Sequence, residues 1–255
     1  MKEFNFFNNY HLGDCVLQTH FLRKVCEAYP DLRFICYIQP AYFKEIQAQI
    51  GTFQDRILLE PLPKKPSDAI NGWAGSVRLQ GGKRGRVFLI NERHQAFFNI
   101  VSERMGVQNP IDSKCGTVID NEKILEKTDP DLECDMLIVN SQPKSGQFIF
   151  HPNEFNGKIS EWKDKYKIVT TGKSTVKDIP CTLDYGLNLL QIGYLSTKAK
   201  YIIGIATAPL INCFNKWNID TVKRWVVLCN RATYSYNDRI IKRTIMGRLE
   251  LSEIE

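Results

Sequence analysis

Residues 4–38 read FNFFNNYHLGDCVLQTHFLRKVCEAYPDLRFICYI, and this stretch decides the fold class. A short aromatic run is followed by a polar segment and then by apolar residues at helical spacing up to Tyr29. Pro30 ends the helical pattern, and the apolar run Leu32–Ile38 suits a strand that is buried on both faces. A strand, a helix and a second strand begin a parallel α/β sheet.

The same alternation continues along the chain and restarts in its second half. In the first half we predict strands over 4–7, 32–38 and 56–62 and helices over 14–29, 40–50 and 94–105. In the second half we predict strands over 136–139, 167–171 and 201–205 and a helix over 187–195. Residues 63–85, which are rich in Pro, Gly and Lys, predict a loop. The fold class is therefore α/β with two Rossmann-like domains.

The domain boundary is predicted from charge. Residues 120–135 contain seven acidic side chains and two lysines, and a new α/β pattern follows at once. We therefore predict an N-terminal Rossmann-like domain over 1–120, an acidic linker over 121–134 and a C-terminal Rossmann-like domain over 135–255.

Composition excludes several classes of protein. The hydrophobic share of 43% and the charged share of 24% are typical of a globular chain, and no apolar run approaches the ~20 residues of a membrane span. The first ten residues do not resemble a signal peptide, which predicts a cytoplasmic protein without integral membrane association. The eight cysteines form no CxxC pair or zinc-ligand spacing, so we expect neither disulfides nor structural zinc.

Positive charge is concentrated near the C-terminus. Residues 216–248 contain eight basic and two acidic side chains, within a chain whose net charge is +6. Such a segment either binds a polyanion, such as a phosphorylated glycan or nucleic acid, or forms the solvated face of a helix.

The polar loop after the first strand is the first candidate site. In open α/β sheets, ligands bind at the carboxyl ends of the strands. His11 and Gly13 lie in this loop, and Asp14 follows them at the predicted helix start. Asp14 is either a helix N-cap or a carboxylate that acts on a ligand.

The sequence around this loop resembles the opening of glycosyltransferase family nine, the bacterial lipopolysaccharide heptosyltransferases of the GT-B superfamily. The similar residues are 11–19, HLGDCVLQT, then 21–24, FLRK, and 28–30, AYP. The resemblance implies a GT-B fold, in which two Rossmann-like domains face a cleft, and it implies that Asp14 is the catalytic general base. It also implies that 1–120 is the acceptor domain, with His11 and Gly13 on the acceptor side, and that 135–255 is the nucleotide-sugar donor domain.

The second half is similar to the family's donor-side helix and strand over 187–195 and 199–204. In the family a D-T-G-x-x-H turn follows, whereas this chain has ATAPLI at 206–211 and keeps only Thr207. Small residues and a helix start are suited to a diphosphate, so we assign Thr207 and Ala208 to donor binding. A plain strand-to-helix turn is the alternative.

The loop 140–147 follows the first strand of the second half, where family members keep a polar loop with a lysine. We assign Ser141, Lys144, Ser145 and Gly146 to donor binding, because a lysine, hydroxyl groups and a backbone N–H can bind phosphate. A solvated loop is the alternative.

Together these features predict an inverting glycosyltransferase with a nucleotide-sugar donor and no further cofactor. Asp129 and Asp131 form a D-x-D pair within the acidic linker, so we assign no metal ligands and expect a metal-independent reaction. The predicted acceptor is a hydroxyl of an anionic surface glycan. Two alternatives are a phage-type DNA glycosyltransferase that acts on a hydroxylated modified base and a non-catalytic nucleotide-binding scaffold with a GT-B fold.

Overall fold

The chain consists of two compact units, Met1–Thr117 and Val118–Glu255. The structure, a computed structural model, describes residues 1–73, 90–111, 118–144, 151–205 and 207–228 and the short strand 244–245. Each unit is built around one parallel sheet. The prediction of two parallel α/β domains is therefore confirmed.

The first unit contains a four-stranded sheet in the order β3-β2-β1-β4, in which every pair of neighbouring strands is parallel. Its strands are β1 (Lys2–Phe7), β2 (Leu32–Ile38), β3 (Ile57–Pro61) and β4 (Ile70–Asn71), and its helices are α1 (Leu12–Ala28), α2 (Phe43–Ile50) and α3 (Ile90–Met105). Phe21 of α1 stacks on Phe98 of α3 with ring centroids 4.7 Å apart. This apolar contact joins two helices that are distant in sequence.

The second unit contains a five-stranded parallel sheet in the order β6-β5-β7-β8-β9. Its strands are β5 (Met136–Val139), β6 (Ile168–Thr170), β7 (Tyr201–Ile205), β8 (Arg224–Leu228) and β9 (Thr244–Ile245), and its helices are α4 (Pro152–Trp162), α5 (Leu189–Lys198) and α6 (Ala208–Cys213). Every residue of β5 is buried. Burial on both faces explains why this strand is a continuous apolar run and does not alternate.

Three local predictions are wrong. The predicted loop 63–85 contains β4, a two-residue strand that is too short to show a hydrophobic period. Helix α1 begins at Leu12 after His11, so Asp14 lies in the first turn and is not the N-cap. Of the two alternatives left open for 216–248, the solvated helix face fails at β8, where residues 225–228 are buried in the sheet; residues 229–243 and 246–248 lie outside the described residues.

The acidic segment 121–134 packs within the second unit. Ile124 is fully buried, in a short 3₁₀ turn that contacts α5. Asp131 forms an ion pair with Lys198 and accepts a hydrogen bond of 3.1 Å from the Tyr194 hydroxyl. These contacts attach the segment to α5, and the division between the two units falls before it, after Thr117.

The described cysteines are all unpaired and buried, at positions 15, 26, 36, 134, 181 and 213. Within the described ranges, no helix is long and apolar enough to cross a membrane.

Candidate functional site

In each sheet the chain adds strands first on one side of a central strand and then on its other side. The gap between the two neighbouring strands at which this direction reverses is the switch point of the sheet. In the first unit this point lies between β1 and β4, because β2 and β3 extend the sheet on the opposite side of β1. In the second unit it lies between β5 and β7, with β6 on the other side of β5. Ligands of open α/β sheets bind outside the carboxyl ends of the strands at these switch points. Each unit therefore has one topologically favoured site.

At the first switch point, Asn8 holds two loops together. Its side-chain amide donates to the Gly72 carbonyl at 3.4 Å, and its side-chain oxygen accepts from the Tyr10 N–H at 3.0 Å. The Gly72 N–H donates in turn to the Phe7 carbonyl at 2.7 Å. Asn8 is fully buried, so these bonds form where water does not compete with them.

Asp14 lies at this switch point, in the first turn of α1. Its carboxylate accepts a hydrogen bond of 3.2 Å from the backbone N–H of His11, the residue before the helix. Gly13 beside it is buried, whereas His11 is exposed. The structure thus brings together all three residues predicted for the acceptor side.

The electrostatic environment of Asp14 favours its protonated form relative to an aspartate in water. Burial raises the pKa of Asp14, while the backbone hydrogen bond to His11, the charge of His11 and a hydrogen bond from the Trp73 side chain lower it. Burial is the largest effect. A half-buried carboxylate with a raised pKa at a strand end is the kind of group that accepts protons in catalysis.

Two aromatic rings lie beside Asp14. The rings of Tyr10 and Trp73 are stacked with their centroids 3.7 Å apart and their planes 17° from parallel. Trp73 follows β4, and its side chain has the smallest of the effects that lower the pKa of Asp14. Sequence analysis took the loop that contains Tyr10 as a candidate site but gave this ring no role, and it missed Trp73 because residues 63–85 were interpreted as a loop without a strand. The signal was a hydrophobic residue, Ile70, followed by the polar and glycine residues that commonly end a strand.

At the second switch point, the loop after β5 is tied to the loop after β6. The Asn140 side chain donates to the Gly172 carbonyl at 3.1 Å and accepts from the Gly172 N–H at 2.7 Å. The hydroxyl groups of Ser141 and Thr171 are 2.8 Å apart and share a hydrogen bond. Sequence analysis predicted Ser141 but missed Thr171 and Gly172. Lys144 is exposed at the end of this loop.

The other side of this switch point is the turn between β7 and α6. Thr207 directly precedes the helix, and its hydroxyl donates to the Ile205 carbonyl at 3.2 Å. Gly204 allows α6 to pack closely, since a Cβ atom there would lie 2.7 Å from Leu210 Cδ1 and 3.0 Å from Val139 Cβ.

The strand register explains how these predicted donor residues come together. Val139 of β5 is opposite Gly204 of β7, so the loop with Ser141 and the turn with Thr207 leave the sheet at one edge. Ala208 is the first residue of α6. Ser145 and Gly146 lie outside the described residues.

One member of the D-x-D pair, Asp131, takes part in the packing of the second unit. Asp131 contacts Lys198, Tyr194 and Lys127, and the hydrogen bond with Lys198 is the main reason that its pKa is lowered. In the part of the chain that the structure describes, no group of three or more His, Cys, Asp or Glu side chains could hold a metal ion.

The fold is similar to that of several solved glycosyltransferases. The glycosyl transferase family 9 protein from Veillonella parvula DSM 2008 is 15% identical, with a TM-score of 0.53 over 97% of this chain and 87% of that chain. The E. coli heptosyltransferase WaaC, solved with ADP-2-deoxy-2-fluoro heptose, is 10% identical, with a TM-score of 0.54 over 97% and 93%. The iron-containing dodecameric glycosyltransferase TibC from enterotoxigenic E. coli H10407 is 12% identical, with a TM-score of 0.51 over 97% and 63%.

These identities are low, and the likeness is one of fold. No protein-family model matches the sequence, and a comparison with curated proteins gives no match. The resemblance to glycosyltransferase family nine in the sequence is thus confirmed for the architecture, because family-nine and heptosyltransferase structures share the two parallel α/β domains.

Proposed function

We propose that this chain is a glycosyltransferase that moves a sugar from a nucleotide-sugar donor to a hydroxyl group of an acceptor. The position of Asp14 carries the proposal: it is a half-buried carboxylate with a raised pKa at the switch point of a parallel sheet. The fold supports it, since the similar structures are glycosyltransferases and WaaC was solved with an ADP-sugar analogue. The first unit binds the acceptor, and the second binds the donor.

Asp14 acts as the general base. Its carboxylate takes the proton from the acceptor hydroxyl while the oxygen of that hydroxyl forms a bond to the anomeric carbon of the donor sugar. The bond between the anomeric carbon and the diphosphate oxygen breaks, and its electron pair leaves with the nucleoside diphosphate. A single displacement of this kind inverts the anomeric configuration.

The donor site is formed by the two segments at the carboxyl edge of the second sheet. Lys144 offsets the charge of the departing diphosphate, and Ser141 and Ser145 donate hydrogen bonds to it. The backbone N–H groups of Gly146 and Ala208 complete the contacts with phosphate, together with the Thr207 hydroxyl once it has turned from the Ile205 carbonyl to the donor. In this scheme the protein's own donors stabilise the leaving group, and neither a metal ion nor a further cofactor takes part.

We propose an anionic glycan as the acceptor, because the chain has a net charge of +6 and an acceptor with phosphate groups would be attracted to it. In the described part of the basic segment 216–248, the charge of one lysine is already paired within the second unit. Lys216 forms an ion pair of 2.5 Å with Asp120.

Donor binding is tested first by thermal denaturation with ADP, UDP, GDP, CMP and ADP-heptose. A ligand at about 100 times its dissociation constant adds about 2.7 kcal/mol to the free energy of unfolding. We expect at least one nucleoside diphosphate to raise the melting temperature. Lys144→Ala should weaken that ligand about tenfold, since a charge-assisted hydrogen bond is lost. Lys163→Ala is the matched control, because this exposed lysine follows α4 at the opposite edge of the sheet.

Transfer is then measured as release of the nucleoside diphosphate with phosphorylated glycan acceptors. Absence of binding to every nucleotide would refute the proposal. Binding without turnover on any acceptor would favour the non-catalytic scaffold. Turnover only with hydroxymethylated duplex DNA, with affinity that falls steeply as salt increases, would identify the chain as a DNA glycosyltransferase.

A further inference from the structure

The carboxyl edge of the first sheet has three side chains that the proposed mechanism does not use. They are the stacked rings of Tyr10 and Trp73, which form an aromatic pair, and the ammonium group of Lys65. An inference about them rests on the proposed function, because it concerns the acceptor whose hydroxyl Asp14 would deprotonate.

The aromatic pair lies next to the carboxylate. Tyr10 directly precedes His11, whose backbone N–H donates to the Asp14 carboxylate at 3.2 Å. The Tyr10 ring stacks on Trp73 with the centroids 3.7 Å apart. Both side chains are half-exposed, so part of the aromatic pair faces solvent. A ligand bound at Asp14 therefore has an aromatic surface beside it.

Hydrogen bonds fix the backbone beneath both rings. The Tyr10 N–H donates to the Asn8 side-chain oxygen at 3.0 Å, and the Trp73 N–H donates to the Asn71 side-chain oxygen at 3.0 Å. Gly72, which precedes Trp73, is bonded to β1 and to Asn8 as described above. The aromatic surface is thus formed before a ligand binds, which lowers the entropy cost of binding.

Lys65 adds a positive charge at the same edge of the sheet. Its Nζ lies 4.6 Å from the centre of the ring of Phe7, the last residue of β1, in a cation–π contact. Its backbone N–H donates to the Leu62 carbonyl at 3.1 Å. Within the described ranges Lys65 forms no ion pair, whereas its neighbour Lys64 is paired with Glu60 at 3.8 Å. The charge of Lys65 is therefore available to an anionic ligand.

A chain of contacts connects the lysine with the aromatic pair. Phe7, which lies under the Lys65 ammonium group, is opposite Asn71 in the pairing of β1 with β4. Asn71 accepts the hydrogen bond from the Trp73 N–H. Neighbouring strands are only about 4.8 Å apart, so a single oligosaccharide is long enough to contact both the lysine and the rings.

We propose that Tyr10, Trp73 and Lys65 form an acceptor subsite for a phosphorylated oligosaccharide, in which a sugar ring lies against the aromatic pair and a phosphate group pairs with Lys65. The face of an aromatic ring carries partial negative charge, which attracts the weakly positive C–H groups on one face of a pyranose. A lysine binds phosphate as a point charge. A sugar in this position directs a hydroxyl at its edge towards Asp14.

The closed stack favours a sugar over a nucleobase. Enzymes that act on a flipped base commonly hold it between aromatic or apolar side chains. With 3.7 Å between their centroids, the rings of Tyr10 and Trp73 are in contact with each other and leave no gap for a planar base. A sugar ring needs only one aromatic surface.

The first test is an NMR titration of the full chain that follows the tryptophan indole N–H resonances. The probes are trehalose 6-phosphate, glucose 6-phosphate and mannose 6-phosphate, each compared with its unphosphorylated sugar. Trp73→Phe assigns the Trp73 resonance among the four tryptophans. We expect the sugars to shift this resonance, the phosphorylated ones at lower concentration. Inorganic phosphate alone should not shift it, and the half-exposed Trp217 of the second unit should not respond to any probe.

Variants then separate the two parts of the subsite, with affinity measured by ligand-observed NMR. Trp73→Leu should weaken phosphorylated and unphosphorylated sugars about tenfold, whereas Trp73→Phe, which keeps an aromatic ring, should stay within about threefold of the parent. Lys65→Ala should weaken only the phosphorylated sugars, about three- to tenfold. Lys64→Ala is the matched control, because it removes the same charge one position earlier and should change neither affinity.

The outcomes distinguish the subsite from the proposed function. An unmoved Trp73 resonance with every sugar, or equal weakening by Lys65→Ala and Lys64→Ala, would refute the subsite. A shift with hydroxymethylated duplex DNA but with none of the sugars would also refute it and identify a nucleic acid as the ligand. If the probes bind as expected but the parent transfers no sugar, the proposed function fails and the subsite stands. If transfer is established and Trp73→Leu and Lys65→Ala bind the probes like the parent, the subsite is wrong and the function stands.

Discussion

Replacing Asp14 with asparagine separates the role of this residue as a base from its role in the first turn of α1. The amide has nearly the same size, and its oxygen can still accept the hydrogen bond of 3.2 Å from the His11 N–H. It cannot take a proton from an acceptor hydroxyl. This substitution therefore removes the basic group and largely preserves the structure at the start of α1.

The expected effect on rate is large. Removing a general base typically slows a reaction about 10²- to 10⁴-fold. At about 1.36 kcal/mol for each factor of ten, this corresponds to a barrier about 2.7–5.4 kcal/mol higher. Donor binding should be nearly unchanged, because the donor is proposed to bind residues of the second unit.

The expected effect on stability is small, and its sign depends on pH. Because burial raises the pKa of Asp14, the folded protein holds this proton more tightly than the unfolded chain does. The parent therefore loses stability as pH rises from 3.8, the ordinary value, through the raised folded-state pKa. The variant has no such proton, so its stability relative to the parent should increase over that window. The lost charge at the helix N-terminus opposes this with about 0.3–1 kcal/mol.

The assay combines turnover with thermal denaturation at about pH 4 and about pH 8, on either side of the expected titration. Asp31→Asn is the control, because Asp31 is an exposed aspartate at the opposite edge of the same sheet, before β2. It should leave both turnover and stability close to the parent values. If Asp14→Asn turns over within about threefold of the parent, Asp14 only stabilises the helix start and the proposed mechanism is refuted.

Three further predictions concern packing and metal dependence. Gly204→Ala should lower the free energy of unfolding by about 1–3 kcal/mol, measured by urea denaturation, because the new methyl group would press on buried Leu210; a neutral result would contradict the close packing of α6. Gly157→Ala should instead add about 0.5–1 kcal/mol in the same measurement, since its helix position has open space around it and alanine favours helices; destabilisation would contradict this. Turnover should persist in excess EDTA and in Asp131→Asn, and a loss that manganese or magnesium restores would show that a metal takes part.

Most of the parallel architecture could be predicted because its signals are local. The predominantly apolar runs at Leu32–Ile38 and Tyr201–Ile205 have the lengths of strands, and both strands are present with these bounds. The expectation that Leu32–Ile38 is buried on both faces is wrong, because its residues alternate between buried and half-buried. Pro30 and Gly106 mark helix ends, and Gly106 has the positive φ of 70° that favours glycine. By contrast, β4 has only two residues, and it pairs with a strand more than 60 positions earlier in the chain. Hydrophobic periodicity cannot reveal so short a strand.

The candidate site shows the same division between local and long-range information. The polar loop after β1 and the Gly13-Asp14 pair were visible in the sequence, because strand ends and helix starts have local residue preferences. The stacking of Trp73 on Tyr10 was not visible, since it depends on which strand pairs with β1. The link between Asn140 and Gly172 likewise depends on β6 lying next to β5.

The sequence by itself therefore determined the element types, the α/β class and the position of the carboxylate at a strand end, all of which follow from residue preferences over a few positions. Only the tertiary structure decided the strand order, the packing of the segment 121–134 onto α5 and the environment of Asp14. The physical reason is that the burial that raises the pKa of Asp14 and the stacking of Trp73 on Tyr10 both depend on groups brought together by long-range strand pairing. Such pairing is selected by the free energy of the whole packed unit, and no short stretch of sequence contains it.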